Sequence, residues 1–171
     1  MIARPDRSEH DAYFARYIDL VPEGDILEIL AGELETTCGL LRDVPPDRER
    51  YRYAAGKWSI REVLGHLIDS ERMFQYRALS FARQDPAHLP NFDEGDYARW
   101  SNAHDRSLAD LMDEFEDVRR AGIALFKSFT PEMLVRTGRA SAYRFSVRTF
   151  PYVIAGHEIH HRGVLLERYL K

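Results

Sequence analysis

Residues 149–169 read TFPYVIAGHEIHHRGVLLERY, and the fold turns on how that stretch is placed. Val153, Ile154, Val164 and Leu165 recur at helical spacing, and Pro151 is tolerated in a first turn. His157 and His161 are four apart, so their rings leave one helix face a turn apart, on that same apolar stripe. They are expected to point into a helical core rather than into water. Two core histidines need partners for all their ring nitrogens, and burying them unpaired is costly. A divalent ion would satisfy one nitrogen of each.

Working outward, three more long segments carry the same period: residues 25–42, 59–81 and 107–129. Asp25 with Glu28, and Ser59 with Glu62, have capping-box spacing, while Pro45-Pro46 and Pro131 act as stops. Leu108, Leu111, Phe115, Val118, Gly122, Leu125 and Phe129 alternate spacings of three and four, the seam of a bundle helix. No alternating strand pattern stands out. The expected fold is all-α: an antiparallel four-helix bundle, with a short extra N-terminal helix over about residues 8–18 packed across its outside. One domain is expected over residues 1–171, with a core of about 25–170.

Two connections are irregular. Residues 83–106 are longer than a bundle hairpin needs and are rich in aromatics, which predicts an ordered flap with a helical turn around residues 93–100. Residues 138–147 are a second such stretch, placed to line the same mouth. Composition narrows the functions. The formal net charge is −4 over 171 residues, against a nucleic-acid backbone as partner. No stretch reaches the roughly 18 apolar residues of a membrane span. The N-terminus lacks a signal-peptide pattern, and Cys38 is the one cysteine, so no intrachain disulfide forms. A cytoplasmic chain acting on a small molecule is expected, with a homodimer left open.

A third histidine, His66, lies in Leu64-Gly65-His66-Leu67-Ile68-Asp69, at the margin of the second helix's apolar stripe. Taken alone it reads as a structural residue; taken with His157 and His161 it makes a three-imidazole set that leaves coordination positions open, as catalytic sites do. Gly65 and Gly156 each precede a candidate ligand in mid-helix, where glycine costs about 1 kcal/mol relative to alanine. Close approach of the two helices to close the site would account for them, and plain helix packing would do so equally well. Asp69, one turn after His66, is a candidate to orient its ring or serve as a base. His157 to His161 also satisfies HExxH, in which Glu158 would be the base of a zinc protease. Such enzymes take a third ligand after the motif, and Glu167 falls on another face, so protease chemistry is disfavoured.

The stretches Gly56-Lys57-Trp58-Ser59 with Glu62, His66-Leu67-Ile68-Asp69, and Ala155-Gly156-His157-Glu158-Ile159-His160-His161 resemble the DinB-like superfamily, and within it the YfiT-like group of metal-dependent hydrolases. The likeness covers about residues 25–170. It implies a four-helix bundle holding one divalent ion, often zinc or nickel, on three histidines that map to His66, His157 and His161. Relatives of this kind include bacillithiol S-transferases and mycothiol-dependent isomerases. The resemblance thus implies first a metal-dependent S-transferase that uses a low-molecular-weight thiol such as bacillithiol. The alternatives are a hydrolase that activates water, with Glu158 or Asp69 as base, and a non-catalytic metal-binding or sensory module.

Overall fold

The computed structural model describes residues 1–171. Side-chain caps start the helices. Asp11 caps α1 (Ala12–Ile18), Asp25 caps α2 (Ile26–Arg42), and Ser59 caps α3 (Ile60–Ala82). Asp93 caps α4 (Glu94–Trp100), Ser107 caps α5 (Leu108–Lys127), and Thr130 caps α6 (Pro131–Leu134). Each satisfies an N–H that the first turn leaves without a partner. Ser59 and Glu62 form the expected reciprocal box. Asp25 caps alone, through the Leu27 N–H, and Glu28 returns no bond. The last helix, α7 (Thr149–Val164), runs on into a π-helical turn at Leu165–Tyr169.

α2, α3, α5 and α7 make the bundle, and α2 and α3 each pack on both α5 and α7. Consecutive helices α2 and α3 therefore sit across the diagonal. At one end Arg48, just after α2, donates to the Tyr169 carbonyl beyond α7. There too the Tyr169 hydroxyl donates to the Trp58 carbonyl before α3, and the Leu108 N–H of α5 donates to Glu49. So α2 and α7 run one way, α3 and α5 the other, and each helix has one parallel neighbour. That explains the long connection read from the sequence: parallel neighbours α3 and α5 need a crossover running the length of the bundle. Its helix α4 and a 3₁₀ turn at Ala103–Asp105 lie against α3.

The structure adds a small element that the all-helical expectation lacked. β1 (Thr137–Ala140) and β2 (Tyr143–Ser146) pair antiparallel, Thr137 with Ser146 through Ala140 with Tyr143. Four-residue strands are too short to show alternation, and the turn uses Ser141 at φ 56° instead of an Asn-Gly signal. This hairpin occupies the stretch read as irregular.

Apolar residues form two clusters, one holding Phe74, Phe150 and Ile154, the other Leu67, Phe115 and Leu165. Between them on their helices lie Glu71, Arg119, His157, Glu158 and His161. The glycines mark close approaches, though not of α3 to α7. A Cβ on Gly156 would collide with the Tyr17 carbonyl, so α1 rests its backbone directly on α7. A Cβ on Gly65 would stand 2.7 Å from that of Ala103, in the crossover.

Candidate metal centre

α3 and α7 run antiparallel side by side, and their facing stripes meet at His66, His157 and His161. One ligand atom from each of the three lies within 4.8 Å of the others. Ring centroids are separated by 5.0 Å (His66–His157), 4.8 Å (His66–His161) and 4.5 Å (His157–His161). The Nε2 atoms of His66 and His157 stand 3.1 Å apart. Tetrahedral zinc with bonds of about 2.0–2.1 Å requires nitrogens roughly 3.3 Å apart, so small ring adjustments would let one ion fit.

The electrostatics suit a cation equally well. His66 and His157 are each 8% exposed. Burial lowers the His66 pKa to about 4 and that of His161 to about 3. That of His157 falls well below its ordinary value, through burial and then the neighbouring imidazoles. No carboxylate hydrogen-bonds to the three rings; the Ser70 hydroxyl, 3.5 Å from His66 Nδ1, is the nearest side-chain partner there. Neutral imidazoles are the form that binds metal ions.

A cavity of about 270 Å³ opens onto the cluster. Tyr17 of α1 stands edge-on to His157 at 5.3 Å, and Trp58 tilts over His66 at 4.7 Å. Both irregular stretches contribute to its wall, the crossover through Phe92 and the hairpin through Tyr143. His160 is exposed and touches Tyr17 at the rim. Trp58, Phe74 and Arg77 also line the cavity, and the sequence reading places none of them at the site. Phe74 and Arg77 could have been found by continuing His66's face through Ser70 at helical spacing.

The two carboxylates considered as bases lie elsewhere, which corrects that expectation. Glu158 is 1% exposed and pairs at 2.8 Å with Arg119. Burial raises its pKa, with Arg119 opposing. Arg119 also grips Glu71 through two bonds of 2.9 and 2.8 Å and donates to the Leu30 carbonyl at 2.7 Å. One guanidinium thus ties all four bundle helices. Asp69 lines a different cavity, of about 590 Å³, between α3 and the crossover, with Trp100 and Arg106. Cys38 is buried and its pKa is raised to about 11, chiefly by burial, so it offers no thiolate near neutrality.

The chain belongs to the DinB superfamily, whose family description matches residues 30–165. No curated protein sequence matches it. Among solved structures it resembles YfiT from Bacillus subtilis, described as a probable metal-dependent hydrolase with an unusual four-helix bundle topology. The TM-score is 0.69 at 16% identity, covering 96% of this chain and 90% of that one. It also resembles the DinB-like protein YjoA of Bacillus subtilis, with TM-score 0.58 at 20% identity over 84% and 87% of the two chains. These likenesses establish the fold. No helix of this chain is long and apolar enough to cross a membrane.

Proposed function

With membership of the DinB superfamily as the premise, we propose that the protein is a divalent-metal enzyme whose ion, zinc or nickel, is held by His66, His157 and His161. The observation that carries this is three neutral imidazoles converging at the floor of a cavity, with no fourth protein ligand to close the set. A structural or sensory module would be better served by a closed site.

The reaction proposed first is transfer of a low-molecular-weight thiol such as bacillithiol to a small electrophile. A bound ion would supply Lewis acidity, lowering the pKa of a thiol so that a nucleophile exists at neutral pH. The chain's own part is to hold the imidazoles neutral and to pack Tyr17, Trp58 and Phe74 around the reacting end of the cavity. Glu158 and Asp69 are engaged elsewhere, so a mechanism that needs no protein base at the cluster is favoured. Hydrolysis is the second reading, supported by the description of YfiT.

Cobalt-substituted protein distinguishes the two. Bacillithiol at millimolar concentration should produce a sulfur-to-cobalt charge-transfer band in the near ultraviolet and be consumed when an electrophile is added. The His157→Ala protein should show neither. Absence of the band with several cellular thiols, on protein that retains its cobalt, would sink the transferase reading in favour of hydrolysis.

A further inference from the structure

The histidine cavity holds a cation that nothing in the protein neutralises. Arg77 of α3 is 4% exposed, yet it joins none of the protein's ion pairs. Its Nη2 donates to the Pro90 carbonyl at 3.0 Å, its Nε is buried with no acceptor, and its guanidinium lies 5.6 Å from the Phe92 ring centroid. Glu94 is the one carboxylate lining the cavity; it is exposed and beyond ion-pair reach of Arg77. The contrast with Arg119, buried still more deeply but held by two carboxylates, is direct. An uncompensated buried charge is expensive, and such groups concentrate where a ligand supplies the missing partner.

We propose that Arg77 is the anchor for an anionic head group, a carboxylate in the first instance, on the small-molecule substrate. The proposal rests on the histidine cluster being the reacting end. His66, Ser70, Phe74 and Arg77 succeed one another at spacings of four, four and three along one face of α3. The outer two Cα positions are about 16 Å apart at 1.5 Å per residue. Helical side chains lean toward the N-terminus, so the guanidinium reaches back toward the histidines. A substrate would put its anion on Arg77, its apolar body over Phe74 and its reacting carbon at the histidines. A 270 Å³ space corresponds to about nine waters at 30 Å³ each, room for roughly ten non-hydrogen atoms.

Phenylacetate is a probe of that size, and phenylacetamide its neutral counterpart. Both are titrated calorimetrically into zinc-loaded wild type and Arg77→Gln, and into His157→Ala, which should hold little zinc under the same loading. Wild type should bind the carboxylate at least tenfold more tightly than the amide. Arg77→Gln should lose that preference, and His157→Ala should keep it. Equal binding of the two probes by wild type, or a preference that survives in Arg77→Gln, overturns the assignment. A preference lost in His157→Ala overturns it too, because the anion would then sit on the metal. Should Arg77→Gln fail to fold, Arg77→Lys takes its place. It keeps the charge and should keep a preference of at least threefold; a folded Arg77→Lys protein with none overturns the assignment. Zinc content of the same wild-type sample tests the metal reading separately. Zinc absent with anion preference intact removes the metal; zinc present with no preference removes Arg77.

Discussion

Two polar centres are buried side by side in this bundle, and they are built in opposite ways. Glu71, Arg119 and Glu158 bring their charges with them: the guanidinium meets two carboxylates and a helix carbonyl, and the set is internally neutralised apart from one charge. His66, His157 and His161 bring no charge at all and hold their lone pairs toward one point. His157 and Glu158 are adjacent in sequence, yet one belongs to each centre. A closed network of this kind ties helices together, whereas an open set of neutral donors leaves space for an ion from outside. The same contrast separates paired Arg119 from unpaired Arg77.

The largest effect should come from the closed centre. Removing the cation by Arg119→Met leaves two carboxylates facing each other in the core, which costs about 3–5 kcal/mol when a buried ion pair loses one partner. Urea denaturation should show that loss, or no folded protein at all. The sharper variant replaces Glu71, Arg119 and Glu158 together with apolar residues of similar volume, which should recover most of it. If Arg119→Met alone loses under 1 kcal/mol, the triad is not what fastens the helices.

How much of this contrast was legible beforehand follows from the helical period. The histidines stood out because their type and spacing are unusual on an apolar stripe. Glu71, Arg119 and Glu158 follow the same arithmetic: Arg119 is four after Phe115 and three before Gly122, and Glu71 four after Leu67 and three before Phe74. Glu71 and Arg119 sit on their seams, yet the sequence reading singles out neither, and Glu158 reads there as a candidate base. What period could not disclose was which seams face each other. The diagonal placement of α2 and α3 depends on contacts far apart in sequence, as does the parallel pairing of α3 with α5 that makes the crossover long. Asp69 is the counterpart error: one residue before Ser70, it leaves α3 on the side of the other cavity.

The open centre should respond to its ion instead. Zinc at a hundred times its dissociation constant should raise the stability of wild type by about 2.7 kcal/mol, the linkage expected for one site. His66→Ala, His157→Ala and His161→Ala should show almost none of this. Elemental analysis should find about one equivalent of metal in wild type and little in each variant. Full occupancy in His66→Ala would remove that residue from the centre.

Acid should find the same centre at smaller scale. With folded pKa values of about 4 and 3, His66 and His161 stay neutral while the unfolded chain, near 6.5, takes up protons first. The metal-free protein should therefore keep its stability above pH 6.5 and lose it as pH falls toward 4. Each such histidine can contribute up to about 1.4 kcal/mol per pH unit. His161→Ala should flatten this slope between pH 6.5 and 5. An unchanged slope would mean that the ring is not held neutral by the fold.

The smallest expected effect tests the boundary between the centres. Glu158 shares an HExxH pattern with the histidines, so a protease-like mechanism would make it the base, and losing it would cost several orders of magnitude. Its 2.8 Å pairing with Arg119 and its full burial assign it to the closed centre instead. Glu158→Gln keeps the shape and removes only the ion pair with Arg119, whose bidentate grip on Glu71 remains. Metal content should stay at one equivalent, and turnover should fall less than tenfold, under about 1.4 kcal/mol of barrier. A drop beyond a thousandfold with metal and fold intact would instead place Glu158 in the chemistry, and the division between a closed and an open centre would fail at that residue.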